Sequence, residues 1–273
     1  MSQKVALVTG ASAGIGEATA LALHDLGFTV YGGARRVERM RPLEQRGVRT
    51  LALDVTDERS AREAVDRILI DTGRIDLLVN NAGYGSYGAV EEVPIDEGRR
   101  QFEVNLFGAA RLIQLVLPAM REQRSGRIVN VSSVGGKIHT PMGAWYHATK
   151  FALEGFSDAL RTEVADFGID VVVIEPGAIR TEWGGIALDR LRAVSGQGAY
   201  APLADAVASA MSDERMADRA SPPSSIAMVI GRAASTRRPR TRYAAGFGAK
   251  PLLALRRVLP DRAFDALVRR ALR

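Results

Sequence analysis

From Val5 to Ile174 the chain alternates short apolar runs with longer amphipathic stretches, and few architectures accept that pattern. The runs are Val5 to Thr9, Thr29 to Ala34, Thr50 to Leu53, Leu77 to Asn80, Arg127 to Val131 and Asp170 to Ile174. Helical periodicity fills the intervals, from Gly16 to Leu26, Glu58 to Thr72, Asp96 to Glu122 and Trp145 to Asp166. Strands that are apolar throughout need cover on both faces of their sheet, and helices between successive strands supply it. Right-handed crossovers then make the sheet parallel and doubly wound, an α/β fold in a single domain.

Beyond Pro176 the regularity fails. Residues 184–225 are rich in Gly, Ala, Ser and Pro, with a helix expected near 201–215. Another helix follows "SPPSS", and "RTRYAAG" reads as a last strand. An irregular segment after the sixth strand sits at the carboxyl edge of the sheet, where ligands bind in such folds. The expected organisation is a core over 1–183, a substrate lid over 184–225, a last helix and strand over 226–249, and a basic amphipathic tail over 250–273.

"VALVTGASAGIGEATALAL" is a strand, a glycine-rich turn and a helix, the start of a Rossmann fold. Backbone N–H groups at such a helix start face a pyrophosphate, and the helix dipole favours its charge. The spacing is G-x-x-x-G-x-G, with Gly10, Gly14 and Gly16, and Ser12 is placed to donate a further hydrogen bond. The second strand ends in "VYGGARRVER". An acid there would accept from the ribose hydroxyl of NAD; Val30 to Arg36 has none, and Arg35 and Arg36 stand adjacent. Guanidinium is the natural partner of a 2′-phosphate, so the expected cofactor is NADP(H).

Composition removes several classes of chemistry. With no cysteine there is no disulfide, thiolate nucleophile or cysteine metal site, and three scattered histidines (His24, His139, His147) leave no metal centre to expect. "KVALVTG" at the N-terminus reads as a strand, not as a signal peptide, and no apolar run is expected to approach the roughly 20 residues of a membrane span, so a cytoplasmic protein is expected. The net charge of +6 is uneven: residues 231–273 hold eleven Arg and Lys250 against Asp261 and Asp265. That tail suits a solvated face, a domain cap, a subunit contact or an anionic membrane surface, and no nucleic-acid module accompanies it.

Further motifs follow in order: "LLVNNAG" (77–83), "FEVNLFG" (102–108), "GRIVNVSSVGG" (126–136), "WYHATKFALEGF" (145–156) and "VVVIEPGAIRTEW" (171–183). Together with the glycine turn they resemble the short-chain dehydrogenase/reductase family in its compact single-domain branch, over about residues 4–183. "YHATKFALEG" and "RTRY" look most like its hydroxysteroid and retinol dehydrogenase-like members. The resemblance implies a catalytic set of Asn105, Ser133, Tyr146 and Lys150. Ser132 rivals Ser133, which is preferred because it lies thirteen residues before Tyr146. It further implies Asp54 at the adenine, with Ile15 and Val55 among the cofactor contacts. Asn81, Ala82 and Gly83 would line the adenosine side, and Pro176, Gly177, Ile179 and Thr181 the nicotinamide end. Tyr146 and Lys150 would touch the cofactor as well, Lys150 at the ribose, and Asn105 would position a water. A homodimer or homotetramer, associating through the long helices, is also implied.

The chemistry of the pair stands beside that resemblance. On a helix, Tyr146 and Lys150 lie one turn apart on one face. A free phenol has a pKa of about 10, and a neighbouring ammonium is expected to pull it down. Only four of 37 basic residues are lysine, so lysine at this place is not ordinary surface charge. The expected reaction interconverts a ketone or aldehyde and an alcohol, with Tyr146 exchanging the proton and Ser133 holding the oxygen. Tyr84, Tyr87, Ile138, Met142, Trp145 and Trp183 are expected at the mouth of an apolar cleft suited to a lipophilic substrate. His147 is expected to pack or meet a subunit, and His139, in a loop before the catalytic helix, is assigned no substrate contact. A non-catalytic NADP(H) sensor is the alternative, disfavoured by four intact catalytic residues, and a nucleotide-sugar epimerase would need more chain after Thr181.

Overall fold

The computed structural model describes residues 3–213 and 218–272. The strands are β1 Val5–Thr9, β2 Thr29–Ala34, β3 Arg49–Ala52, β4 Leu77–Asn80, β5 Gly126–Val131, β6 Ile169–Pro176 and β7 Arg242–Ala245. They form one sheet, parallel at every pairing, in the order β3-β2-β1-β4-β5-β6-β7. The helices are α1 Gly14–Asp25, α2 Arg41–Gln45, α3 Glu58–Thr72, α4 Ile95–Phe102, α5 Gly108–Glu122 and α6 Ala144–Glu163. After β6 come α7 Glu182–Ser195, α8 Ala201–Ser212, α9 Pro223–Ser235, α10 Ala249–Val258 and α11 Asp261–Ala271. This is the doubly wound α/β sheet that the alternating pattern requires.

Alternation along each strand feeds both cores. Val5 and Leu7 point to one face, where Val65 and Ile68 of α3, Leu112 and Val116 of α5 and Leu160 of α6 cover them. Ala6 and Val8 point to the other, under Leu23 of α1 and Ile226 and Ile230 of α9. A third cluster lies over the carboxyl edge and joins Tyr87, Met142 and Tyr146 to Ala187, Leu191 and Val207.

Three features differ from the sequence reading. A helix, α7, occupies the segment expected to be irregular. Gly184 and Gly185 in its first turn weaken local propensity, yet Ala187, Leu191 and Ser195 recur every four residues and are buried. The helix expected from Asp96 to Glu122 is interrupted by a π-helical turn, Glu103–Phe107. The helix expected over 201–215 ends at Ser212, and positions 214 and 215 lie outside the described residues.

By length and composition the stretch Ile95–Glu122 is apolar enough to cross a membrane, contrary to the sequence estimate. In the fold its Leu112, Ile113, Val116 and Met120 are buried against the sheet, which is the behaviour of a core helix. The basic tail divides at Pro260 into α10 and α11, and α11 docks. Phe264 is 1% exposed, its ring 5.3 Å from that of His139, and His139 Nε2 donates to Asp265 Oδ1 at 3.0 Å. The apolar side of α11 thus faces the protein and its arginines face outward.

Candidate active site

The glycine turn is shaped by backbone demands. Gly10 and Gly14 have φ of +67° and +61°, which favour glycine. A Cβ on Gly16 would lie 2.3 Å from the Gly10 carbonyl oxygen. The end of β4 braces this turn: Asn81 Nδ2 donates to Thr9 O at 2.9 Å, and the Asn81 and Ala82 N–H groups donate to Thr9 Oγ1. No side chain caps α1, so its first N–H groups are free for an anion. Ser12 and Ile15 are half-buried beside them.

At the carboxyl end of β2, Arg35 and Arg36 are exposed, and no side-chain hydrogen bond or ion pair holds either guanidinium among the described residues. Asp54, after β3, accepts from Thr56 N and Oγ1. Burial works to raise its carboxyl, but those bonds and the nearby Arg35 and Arg100 outweigh it and hold the group below its usual range. Val55 is buried, with its carbonyl taken by Arg111. Across the turn, Thr181 comes within 3.2 Å of where a Gly14 Cβ would stand. Pro176 ends β6, Gly177 N donates to Ala245 O at 2.8 Å, and Ile179 bridges to Ser221. The expected cofactor residues therefore form one continuous cradle, from the glycine turn to Thr181, that fits a dinucleotide.

The expected catalytic residues converge. Asn105 sits in the π-turn, an irregularity frequent at functional sites. Its Nδ2 donates to Tyr84 O and Thr149 Oγ1, and its Oδ1 accepts from Tyr84 N at 3.1 Å. The side chain thereby ties the segment after β4 to α6. Gly83 lies between, its would-be Cβ 3.2 Å from Asn105 Oδ1 and 3.8 Å from Lys150 Nζ.

Ser133 follows β5; its Oγ accepts from Gly135 N at 3.0 Å, and its hydroxyl lies close enough to the Tyr146 phenol to favour the ionised form. Ser132 is the rival that does not reach: its Oγ is buried without a partner among the described residues, beside Gly136.

The electrostatics depart from the simple expectation. Burial pushes the Tyr146 phenol up to about 12, opposed by the Ser133 hydroxyl. Lys150, expected to pull it down, instead donates from Nζ to Val131 O at 2.8 Å, and burial lowers this ammonium to about 8. Two desolvated groups stand one turn apart: near neutral pH the phenol keeps its proton, and Lys150, though lowered, is still mostly an ammonium.

Aromatic side chains close over the phenol. Trp183, on the unexpected α7, has its ring 5.0 Å from that of Tyr146, and Tyr87 lies 6.0 Å away. Met142 belongs to the same cluster, as does Leu272 at the end of the tail. Trp145 does not: it packs on Phe102 and Gly98 between α6 and α4. Tyr84 is turned to α4, its hydroxyl donating to Glu97 at 3.0 Å. His139 is engaged by the tail. His147 is buried and braces the loop after Ser133, with Nδ1 2.9 Å from Gly135 O and Nε2 accepting from Thr140 N. Among the described residues no group of three His, Cys, Asp or Glu is arranged for a metal.

A doubly wound sheet with this cradle, this buried tyrosine and lysine and a half-buried serine defines the class: an oxidoreductase on a dinucleotide-binding scaffold. The chain belongs to the short-chain dehydrogenase family, whose family model matches residues 4–187. A 3-ketodihydrosphingosine reductase of Bacteroides thetaiotaomicron is 43% identical over 182 residues, which cover 66% of each chain. The crystal structure of a short-chain dehydrogenase from Streptomyces avermitilis aligns with a TM-score of 0.77 at 35% identity, covering 99% of this chain and 95% of that one. A metagenomic short-chain oxidoreductase in complex with NADP aligns with a TM-score of 0.70 at 28% identity, over 89% of this chain and 96% of its own.

Proposed function

We propose that this protein is an NADP(H)-dependent reductase and dehydrogenase that interconverts a carbonyl and an alcohol on a lipophilic substrate. One observation carries the reading: the Tyr146 phenol, beside Ser133 and one turn from Lys150, lies beneath an apolar cluster at the end of the glycine-turn cradle. When bound, the nicotinamide supplies or takes up the hydride. In reduction Tyr146 gives its proton to the carbonyl oxygen, and Ser133 donates a hydrogen bond to the same oxygen as charge develops. Lys150, as an ammonium, steadies the phenolate left behind and reaches the nicotinamide ribose. The ring of Trp183 keeps water from the reacting atoms.

Support for the substrate class comes from the cluster of Tyr87, Met142, Trp183 and Leu191, and from the long-chain ketone in the name of the Bacteroides relative. Outward arginines of α11 suit anionic lipid headgroups near such a substrate. The exposed Phe107 and Phe151 on the long helices support self-association in the cytoplasm.

Support for NADP(H) comes from two unengaged guanidiniums at the end of β2. Replacing both, as Arg35→Ser with Arg36→Ser, is expected to weaken NADPH by about 10- to 100-fold, the scale of a hydrogen bond to a charged group. NADH should change little. The check is initial rate against each cofactor over aliphatic, aromatic, steroidal and long-chain 3-ketones. Wild-type preference for NADH would reject the cofactor assignment.

A further inference from the structure

One turn past Lys150 on α6 stands a carboxylate that the reaction above does not use. Glu154 is closed off from solvent, its side chain 3% exposed. Its Oε2 accepts from Arg242 Nε at 3.0 Å and pairs with Lys137 Nζ at 3.1 Å. Its Oε1 is buried with no hydrogen-bond partner among the described residues. A buried carboxylate is costly even when paired, and apolar packing often does as well for stability. Its place therefore asks for a role besides stability.

The surrounding charges come from every element packed here. Lys150 and Asp158 lie on α6 itself, and Asp158 accepts from Arg242 Nη2 at 2.6 Å. Lys137 follows the short turn that begins at Ser133. Glu175, on β6 next to Pro176, has Oε1 3.7 Å from Arg242 Nε, and Arg242 opens β7. Gly136 permits the approach, since a Cβ there would stand 2.9 Å from Glu154 Cγ. Of the two buried glutamates, Glu175 is pushed upward, first by burial and then by the charge on Glu154. Glu154 has two cations on one oxygen, Arg242 Nε at 3.0 Å and Lys137 Nζ at 3.1 Å. It is also the charge that opposes the desolvation of Lys150.

Resting on the reading that Lys150 works as an ammonium beside Tyr146, we infer that Glu154 is a positioning residue for that pair. Its carboxylate supplies the countercharge that keeps Lys150 protonated, and its bonds to Lys137 and Arg242 fix the Ser133 segment and β7 to the catalytic helix.

The chain has only four lysines, so lysine-selective carbon labelling makes nuclear magnetic resonance a direct readout of Lys150, assigned by its loss in Lys150→Arg. Glu154→Gln is expected to lower the Lys150 midpoint by about one pH unit, a tenfold shift in its proton equilibrium. The alkaline limb of kcat/KM, which reports the free enzyme, should move down with it. Glu154→Asp should restore most of both. An unchanged Lys150 midpoint in Glu154→Gln overturns the inference. If that variant does not fold, Lys137→Gln, at a partly exposed side chain, serves instead. Loss of this cation is expected to raise the Lys150 midpoint, and no rise overturns the inference equally. The lysine signal does not depend on turnover. A Tyr146→Phe protein that stays active while Lys150 still responds to Glu154→Gln would reject the proton-transfer reading and leave the countercharge role standing.

Discussion

Tyr146→Phe is expected to lower NADPH-dependent turnover by about 10²- to 10⁴-fold, the usual contribution of a positioned general acid. Cofactor affinity and melting temperature should stay near wild type. The substitution removes one oxygen and keeps the ring, so the contacts with Trp183 and Tyr87 persist. The loss falls on the phenol oxygen beside Ser133 and on the proton itself. Since the proton is exchanged only as charge develops, the effect should appear in kcat and kcat/KM together, with KM little changed. A loss confined to KM would mean that the phenol binds substrate without exchanging a proton.

Gly16→Ala should abolish cofactor binding at ordinary concentrations, with affinity for NADPH falling by about 100-fold or more, ~3 kcal/mol. The added Cβ would stand 2.3 Å from Gly10 O and 2.6 Å from Asn81 Nδ2. Neither neighbour can give way cheaply. Gly10 holds a left-handed conformation, and Asn81 is fixed by Thr9. Either the turn opens or α1 shifts along its axis, and both move the N–H groups meant for the pyrophosphate. Gly155→Ala is the control: it lies within α6 with nothing within 4 Å of the new Cβ. Stability there should rise by about 0.5–1 kcal/mol, the ordinary gain of Ala over Gly in a helix. Titration of intrinsic fluorescence with NADPH, beside thermal melts, checks both variants.

Where the chain repeats a simple physical pattern, its fold could be read directly. The six expected strands lie within two residues of their places because two-sided burial forces continuous apolar runs. Pro260 parts the tail helices because proline cannot continue a helix. What escaped the reading depends on long-range packing. Two glycines disguise α7, and only its docking on Tyr87 and Tyr146 makes it a helix with Trp183 over the phenol. The π-turn at Asn105 carries no compositional mark, since "FEVNLFG" fits a regular helix equally well.

Side-chain partnerships were hidden for the same reason. Helical spacing puts Lys150 beside Tyr146, but it says nothing of Val131 O, 19 positions away, which takes the ammonium. Nor does it reveal that Glu154, an unremarked helix residue, is buried against Lys137 and Arg242. The alternation of charge in the tail leaves a solvated face, a domain cap, a subunit contact and a membrane surface all open. Phe264, buried against His139, shows which side of α11 the protein itself uses.

The central claim is that Tyr146 exchanges a proton once the cofactor is in place, and its most direct test is a tyrosinate titration. Absorbance of wild type minus Tyr146→Phe is followed against pH, with and without saturating NADP⁺. In the free protein, burial should keep this phenol protonated to about pH 12. With NADP⁺ bound, the nicotinamide cation and the Lys150 ammonium favour the charged form, so the midpoint should fall by about 2–3 units, roughly 3–4 kcal/mol. A midpoint that stays at its free value with NADP⁺ saturating would contradict the account, because Tyr146 would then hold its proton throughout the working range and could not take part in exchange.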